Sequence, residues 1–321
     1  MRVGALPGSK KDDFYRVPIA IYRPGDIIED DLYFLYQGQY VLYKLKNLTW
    51  KEHDRDQLTQ FQISDLYVKL PDSRAHHDVL EKNLSRVLES PIVPKKEKAQ
   101  LLYQTSTTIA EDLYEKPLSS ETLRRSLKTI QRSIDFLTQN DDHIFSLMKM
   151  ATKTYTEYHH AWHTSIFAIA VGRQLGVKTF NQISELGIGA LLHDIGKTKI
   201  DAKVLKQEGR LSGEDRKVME LHPRYGYDIL RSYRAVPELS ELVVLQHHER
   251  ENAEGYPSRL SKEIHLFSRI TAVCDCFDSL TTERPYQKAM SPVEAIKVMQ
   301  GDLKDEYDQN VLSGLVKALT R

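Results

Sequence analysis

Apolar and polar positions alternate through FYRVPIAIY (14–22) and YFLYQGQYVLYKL (33–45), runs rich in aromatic and β-branched residues. This is the period-2 pattern of half-buried strands. RPGD (23–26) and QGQ (37–39) are turn signals. ISDLYVKLPD (63–72) reads as a last strand closed by Pro71. Residues 13–70 thus predict a small β-rich module. From about residue 75 the period changes. HDVLEKNLSRVLES is apolar at 80, 84, 87 and 88, which is helical spacing, and Pro91 and Pro94 end it. KAQLLYQTSTTIAEDLY and SSETLRRSLKTIQRSIDFL predict two more helices, the second capped by Ser119 or Ser120. They carry many charges and no cluster of chemically active residues, and read as a connector and candidate dimer contact.

Helices also dominate after residue 144. NQISELGIGALL (181–192) sets Ile183, Leu186 and Ala190 on one face, and one further turn reaches His193 and Asp194. EIHLFSRITAVCDCFDSLT (263–281) is apolar at Ile264, Phe267, Ile270, Val273, Cys274, Phe277 and Leu280, with Ser268, Thr271, Asp275 and Asp278 forming a polar stripe. Ser291, Pro292 and Glu294 supply a cap, a Pro at the first helical position and a Glu at the third. The expected organisation is a β-rich N-terminal module (1–75), a helical connector (76–143) and an all-α C-terminal domain (144–321), α+β overall.

Composition narrows the classes. The 321 residues carry 45 Lys+Arg against 45 Asp+Glu, so whole-chain charge gives no reason to expect a nucleic-acid polymer as partner. At 40% hydrophobic the chain can build a core, and no run of about 18 apolar residues suggests a membrane span. The N-terminal stretch lacks the apolar segment of a signal peptide. The only cysteines, Cys274 and Cys276, face different sides of one helix and read as free thiols in a reducing compartment. The expected location is cytoplasmic.

The chemistry is concentrated late. Of twelve His, eight fall between 159 and 265. LLHDIGK (191–197) puts an imidazole and a carboxylate at the end of an apolar helix, followed by a Lys. A carboxylate on the mostly apolar helix around Asp275 needs a partner, because an unpaired buried charge is costly. The candidate ligands are His160, His193, Asp194, His222, His247, His248 and Asp275. Five His and two Asp without Cys suit Fe or Mn better than a structural Zn site. His247 and His248 diverge by about 100° on a helix, so two metals side by side, or one metal and a substrate, would use both. Asp194 would bridge two ions, which would hold a hydroxide between them and clamp a phosphate in line with it. Lys197 would neutralise charge developing on a phosphoryl oxygen.

The segments LLHDIGK, LSGEDRKVMELHPRYGYDIL (211–230), HHERENAEGYP (247–257), the Asp275 helix and RPYQKAMSPVEAI (284–296) together resemble the HD-GYP phosphodiesterases, a branch of the HD phosphohydrolases. The resemblance runs from about 150 to the end. It implies an all-helical HD-type domain with a two- or three-metal centre, hydrolysing cyclic di-GMP to pGpG and onward to GMP. It implies that the seven candidates are metal ligands, that Asp194 bridges, and that Lys197, Tyr256 and Arg284 contact substrate. In YTEYHHAWH, motif spacing selects His159, whereas the helical register running into TSIFAIAVGRQLG selects His160, the expected ligand. Thr156 stands where three-metal relatives carry Glu, so two ions are expected, Fe with Mn as alternative. Ala253 stands where the family has Gly, and a positive φ there would strain it. A receptor or scaffold that binds cyclic di-GMP without efficient turnover is the competing expectation. The N-terminal half is the expected docking or regulatory part.

Overall fold

The structure is a computed structural model and describes residues 14–63, 65–69, 84–85, 87–91, 93–115, 119–139, 157–205, 207, 212–234, 236–283 and 288–320. The chain divides into two compact units, residues 1–101 and 102–321.

In the N-terminal unit, β1 (Phe14–Pro18), β2 (Leu32–Tyr36), β3 (Gln39–Lys44) and β4 (Asp65–Lys69) form an antiparallel sheet ordered β1-β4-β2-β3. Gln37 and Gly38 make the β2–β3 turn with φ of 47° and 79°, the left-handed pair that a two-residue hairpin needs. The 14–22 run is not one strand. It leaves the sheet at Pro18, which has no N–H for the ladder, and Ile19–Ile21 form a 3-10 turn. Phe14 stacks on Tyr40 at 3.8 Å between ring centroids and meets Tyr33 edge-on at 5.2 Å. The β-rich expectation also missed a helix, α1 (Glu52–Gln60). Its sequence EHDRDQLTQ buries only Leu58, so no apolar period marks it; Asp54 accepting from the Lys51 N–H at 2.6 Å starts it instead.

Residues 84–85 and 87–89 are helical, and that segment stops before Pro91. Then α2 (Lys95–Glu115) and α3 (Ser120–Gln139) follow as the spacing predicts, with Ser119 capping α3 by accepting from the Thr122 N–H at 3.0 Å. The C-terminal unit begins at Leu102, inside α2, and therefore takes in α3.

The rest of the C-terminal unit comprises α4 (Glu157–Gln174), α5 (Phe180–Leu192), a 3-10 turn (Ile195–Lys199), α6 (Ala202–Leu205), α7 (Gly213–Met219), α8 (His222–Tyr233), α9 (Glu238–Gln246), α10 (Leu266–Thr281), α11 (Pro292–Gln300) and α12 (Gln309–Leu319). Every residue of α4 from His160 to Gly172 is buried. A helix buried on all sides belongs at the centre, and α5, α10 and α12 pack around it. The opposite side of α5 receives α9, and Gly189 permits that approach, since a Cβ there would come within 2.8 Å of Val243. The Ser291–Glu294 capping box opens α11 as expected. The helix expected over 263–281 starts at Leu266, after the His265 cap. Among the described residues no helix is long and apolar enough to cross a membrane.

Candidate metal centre

Helix α5 delivers the HD pair. Thr179 caps its start by accepting from the Gln182 N–H, and its apolar face carries the chain inward to Leu192. His193 keeps helical dihedrals while Asp194 turns out at φ −97°, ψ 4°, and the 3-10 turn follows. Gly196 lies against the first turn of α8, where a Cβ would collide with the His222 carbonyl oxygen and the Gly226 nitrogen. That close approach brings His222 beside Asp194, with 3.1 Å between Nε2 and Oδ1. His247 ends α9 with its Nε2 3.8 Å from the same oxygen and 3.2 Å from His222 Nε2. His248 lies next to it, ring centroids 4.2 Å apart. From the other side, α4 supplies His160 and α10 supplies Asp275, with 3.1 Å between Nε2 and Oδ1.

Three imidazoles are oriented alike. His193, His222 and His247 each place Nδ1 2.7–2.9 Å from the carbonyl oxygen three residues back, at Ala190, Met219 and Val244. A carbonyl only accepts, so each Nδ1 carries a proton, and in the neutral ring each Nε2 presents a lone pair. These lone pairs converge on Asp194. Two of them face each other at 3.2 Å, an arrangement that repels unless a cation or proton lies between. His193 Nε2 and Asp194 Oδ1 are buried and make no hydrogen bond. Burial of an unsatisfied carboxylate oxygen and imidazole nitrogen is costly in a core, whereas a divalent ion satisfies both.

The ligand atoms of Asp194, His222, His247 and His248 lie within 4.8 Å of one another, as do those of His160, His193 and Asp194. Asp194 belongs to both groups, so the donor set fits two ions sharing that carboxylate. Its chemistry, nitrogen and carboxylate oxygen with no thiolate, suits borderline divalent ions. His159 is half-buried and outside both groups, whereas His160 is buried within one.

The electrostatics agree. Burial works to raise the Asp194 carboxyl, but the Lys197 ammonium at 2.6 Å and the neighbouring imidazoles hold it well below the usual range. Asp275 is opposed by burial in the same way and held well below by His160. Burial pushes His247 down to about 4 and His248 well below its ordinary value, so both are neutral donors. His160 differs. Burial disfavours its charge, yet Asp275 and Asp278 raise it to about 10.

Tyr256 stacks on His248 at 4.6 Å between centroids and 30° between planes, beside the centre. The loop that carries it is fastened from below. Glu249 is buried and accepts from the Ser258 N–H at 2.6 Å and the Leu260 N–H at 2.7 Å. The Tyr256 N–H donates to the His248 carbonyl at 3.1 Å, and Gly255 is tight against His248 O and Arg250 N. Ala253 takes φ 61°, a left-handed conformation that favours Gly. Arg284 and Thr156 lie outside the described residues.

Sequence reasoning did not single out Glu249, His163 or Asp278. Asp278 is buried and pairs with His160 Nδ1 at 2.7 Å and His163 Nδ1 at 3.1 Å. The polar stripe of α10 thus faces inward rather than to solvent. The only advance signal was that a stripe of two carboxylates on an otherwise apolar helix needs partners.

Residues 141–311 match the family model described as HD domain. A cyclic di-GMP phosphodiesterase of Pseudomonas aeruginosa is 35% identical over 177 residues, 55% of this chain and 42% of that protein. A 3′3′-cGAMP-specific phosphodiesterase of Vibrio cholerae is 32% identical over 161 residues, 50% of this chain and 35% of that one. The chain thus spans well under two thirds of the length of these relatives. A solved HDG"Y"P protein of Bdellovibrio bacteriovorus shares the fold, with a TM-score of 0.67 at 18% identity over 96% of this chain and all of that one. With the model matched over more than half its length and the histidine–aspartate pair at the centre of the helical unit, the chain belongs to the HD domain family.

Proposed function

We propose that this chain is a metal-dependent phosphodiesterase that hydrolyses cyclic di-GMP to pGpG and, where the second bond is also cut, to GMP. The observation that carries the reading is the convergence of buried Nε2 lone pairs on a shared Asp194. The similarity to phosphodiesterases of cyclic dinucleotides supports the substrate class. Residues 144–321 are assigned the chemistry, 76–143 the connector, and 1–75 a docking or regulatory role in the cytoplasm. Seven exposed large apolar side chains between Ile27 and Phe61 suit such a role.

The metal ligands are assigned as His160, His193, Asp194, His222, His247, His248 and Asp275, holding two ions, Fe with Mn as alternative. When bound, such ions supply Lewis acidity and lower the pKa of a water toward neutrality. Asp194 enters that chemistry ionised, because Lys197 and the imidazoles keep it so. Lys197 is half-buried and three residues beyond Asp194, placed to donate to a phosphoryl oxygen as negative charge grows there. Tyr256 offers an aromatic face for a purine, and its stacking on His248 sets the angle of that face. Arg284 is assigned a phosphate or guanine contact from its motif position.

The test is anaerobic purification, loading with Fe or Mn, and chromatography of the products after incubation with cyclic di-GMP. The expected result is pGpG or GMP, lost to background in Asp194→Ala. The second reading, a receptor, is favoured by Ala253 at φ 61°, which strains the substrate loop by about 1 kcal/mol. Tight binding of cyclic di-GMP by the loaded protein with no product under either metal would establish it and overturn the enzyme.

A further inference from the structure

The ligand imidazoles of the centre are held in two different ways. His193, His222 and His247 are fixed by carbonyls of their own helical turns, three residues back in each case. Those contacts come with local backbone geometry. His160 Nδ1 instead lies 2.7 Å from the carboxylate of a residue 118 positions away, Asp278. Asp278 is in turn fixed by others. Its second oxygen lies 3.1 Å from His163 Nδ1 and accepts from Thr282 Oγ1 at 3.3 Å. His163 passes the line on, with Nε2 2.8 Å from the Tyr103 hydroxyl on α2. The three groups between Asp275 and Tyr103, those of His160, Asp278 and His163, are all buried.

The geometry points to Asp278 as the positioning residue of one half of the centre: it turns His160 so that Nε2 faces the ion shared with His193 and Asp194, and the His163–Tyr103 pair holds Asp278 in that pose. This deepens the proposed metal centre and rests on it. Both oxygens of Asp278 are engaged by other side chains. A carboxylate behind a ligating His fixes the ring and raises its basicity, and losing it costs roughly 10–100-fold in metal affinity. Because Asp278 holds His160 while His193, His222 and His247 rest on local carbonyls, the loss should fall on one ion. The other, on His222, His247 and His248, keeps the local carbonyl contacts of His222 and His247. Tyr103, on the connector helix within the C-terminal unit, thus acts on the centre through two intermediaries.

The experiment is titration of the full chain with Mn(II), followed by calorimetry and electron paramagnetic resonance, with melting temperature measured alongside. Wild type should bind two ions giving the spectrum of a coupled pair. Asp278→Asn should keep one ion at wild-type affinity, weaken the other roughly 10–100-fold, and turn the spectrum into that of an isolated ion. Tyr103→Phe should weaken the same ion a few-fold and add nothing further in the Asp278→Asn background. It also keeps the test available if Asp278→Asn does not fold. Wild-type binding of both ions in Asp278→Asn, or equal weakening of both, would overturn the inference. His160→Ala separates this from the underlying reading: if it still binds two ions, the assignment of His160 as a ligand is what fails.

Discussion

The two units treat a carboxylate withdrawn from solvent in opposite ways, half-buried at Asp54 and buried at Asp194. In the N-terminal unit, Asp54 accepts from Lys44 Nζ at 2.5 Å, the Lys51 N–H at 2.6 Å and the Tyr43 hydroxyl at 3.2 Å. The set is closed, and its product is a fixed helix start beside a sheet. In the C-terminal unit, Asp194 meets one ammonium and a ring of imidazoles whose protons point away from it. One carboxylate oxygen and one imidazole nitrogen there are left without hydrogen bonds. An isolated orphan such as Trp50 Nε1 is a small local cost. Orphans that converge from helices far apart in sequence describe the shape of something bound. Satisfaction marks the structural charge and convergent dissatisfaction marks the chemical one.

That contrast can be attacked at several strengths. The hardest blow is Lys197→Met. It should lower kcat by roughly 10²–10³-fold, the usual cost of losing one donor to developing negative charge, while the metal content stays at wild type. Loss of both ions together with activity would make Lys197 a structural counterion like Lys44. Next is Glu249→Gln, which removes the ionic acceptor of the two N–H groups behind Tyr256. Hydrogen bonds to a charged group are worth about 1.5–3 kcal/mol, so KM for cyclic di-GMP should rise roughly tenfold or more, with kcat changing less. An unchanged KM would remove the loop from substrate binding.

The closed site gives smaller effects. Burial works to raise the Asp54 carboxyl, but Lys44, the Lys51 N–H and Tyr43 outweigh it and hold it below its ordinary 3.8. The folded-state value is the lower one, so its stabilisation is complete above the unfolded value and is lost as pH falls through the folded value. Asp54→Asn should cost about 1 kcal/mol at pH 7, discounting for partial exposure, and flatten the acid limb of the N-terminal unit's stability below about pH 4. A variant with the same acid limb would show that this pair contributes nothing. Smallest is Ala253→Gly. Relief of the left-handed strain should raise stability by up to about 1 kcal/mol, which for a unit this size is about 2–4 °C in melting temperature. A lowered melting temperature would mean that the Ala side chain packs usefully where it is.

How much of this was legible depended on whether the signal was local. The HD pair stood out because an apolar helix ends on it. Ordinary helix starts were readable from caps or Pro, as at Ser119 and Ser291. Helix α1 was not, because its nine residues bury one side chain and its start rests on an aspartate-for-lysine-backbone contact that has no hydrophobic period. His160 could be chosen over His159 from helical register alone, and it is His160 that lies beside Asp275. His163 and Asp278 were beyond that reasoning. One sat unassigned in YTEYHHAWH and the other in the polar stripe with Asp275, and their roles exist only once α4, α10 and α2 meet. Tyr103 sat in a connector that showed no chemistry of its own until His163 was placed 2.8 Å from it.

The most direct measurement of the central claim is anomalous diffraction at the iron and manganese edges from crystals of the anaerobically purified chain. Two peaks should appear, one against His160 and His193 and one against His222, His247 and His248, with Asp194 touching both. A map with no peak among these residues, or with a single peak that leaves Asp194 unligated, would contradict the reading of the convergent lone pairs as a metal centre.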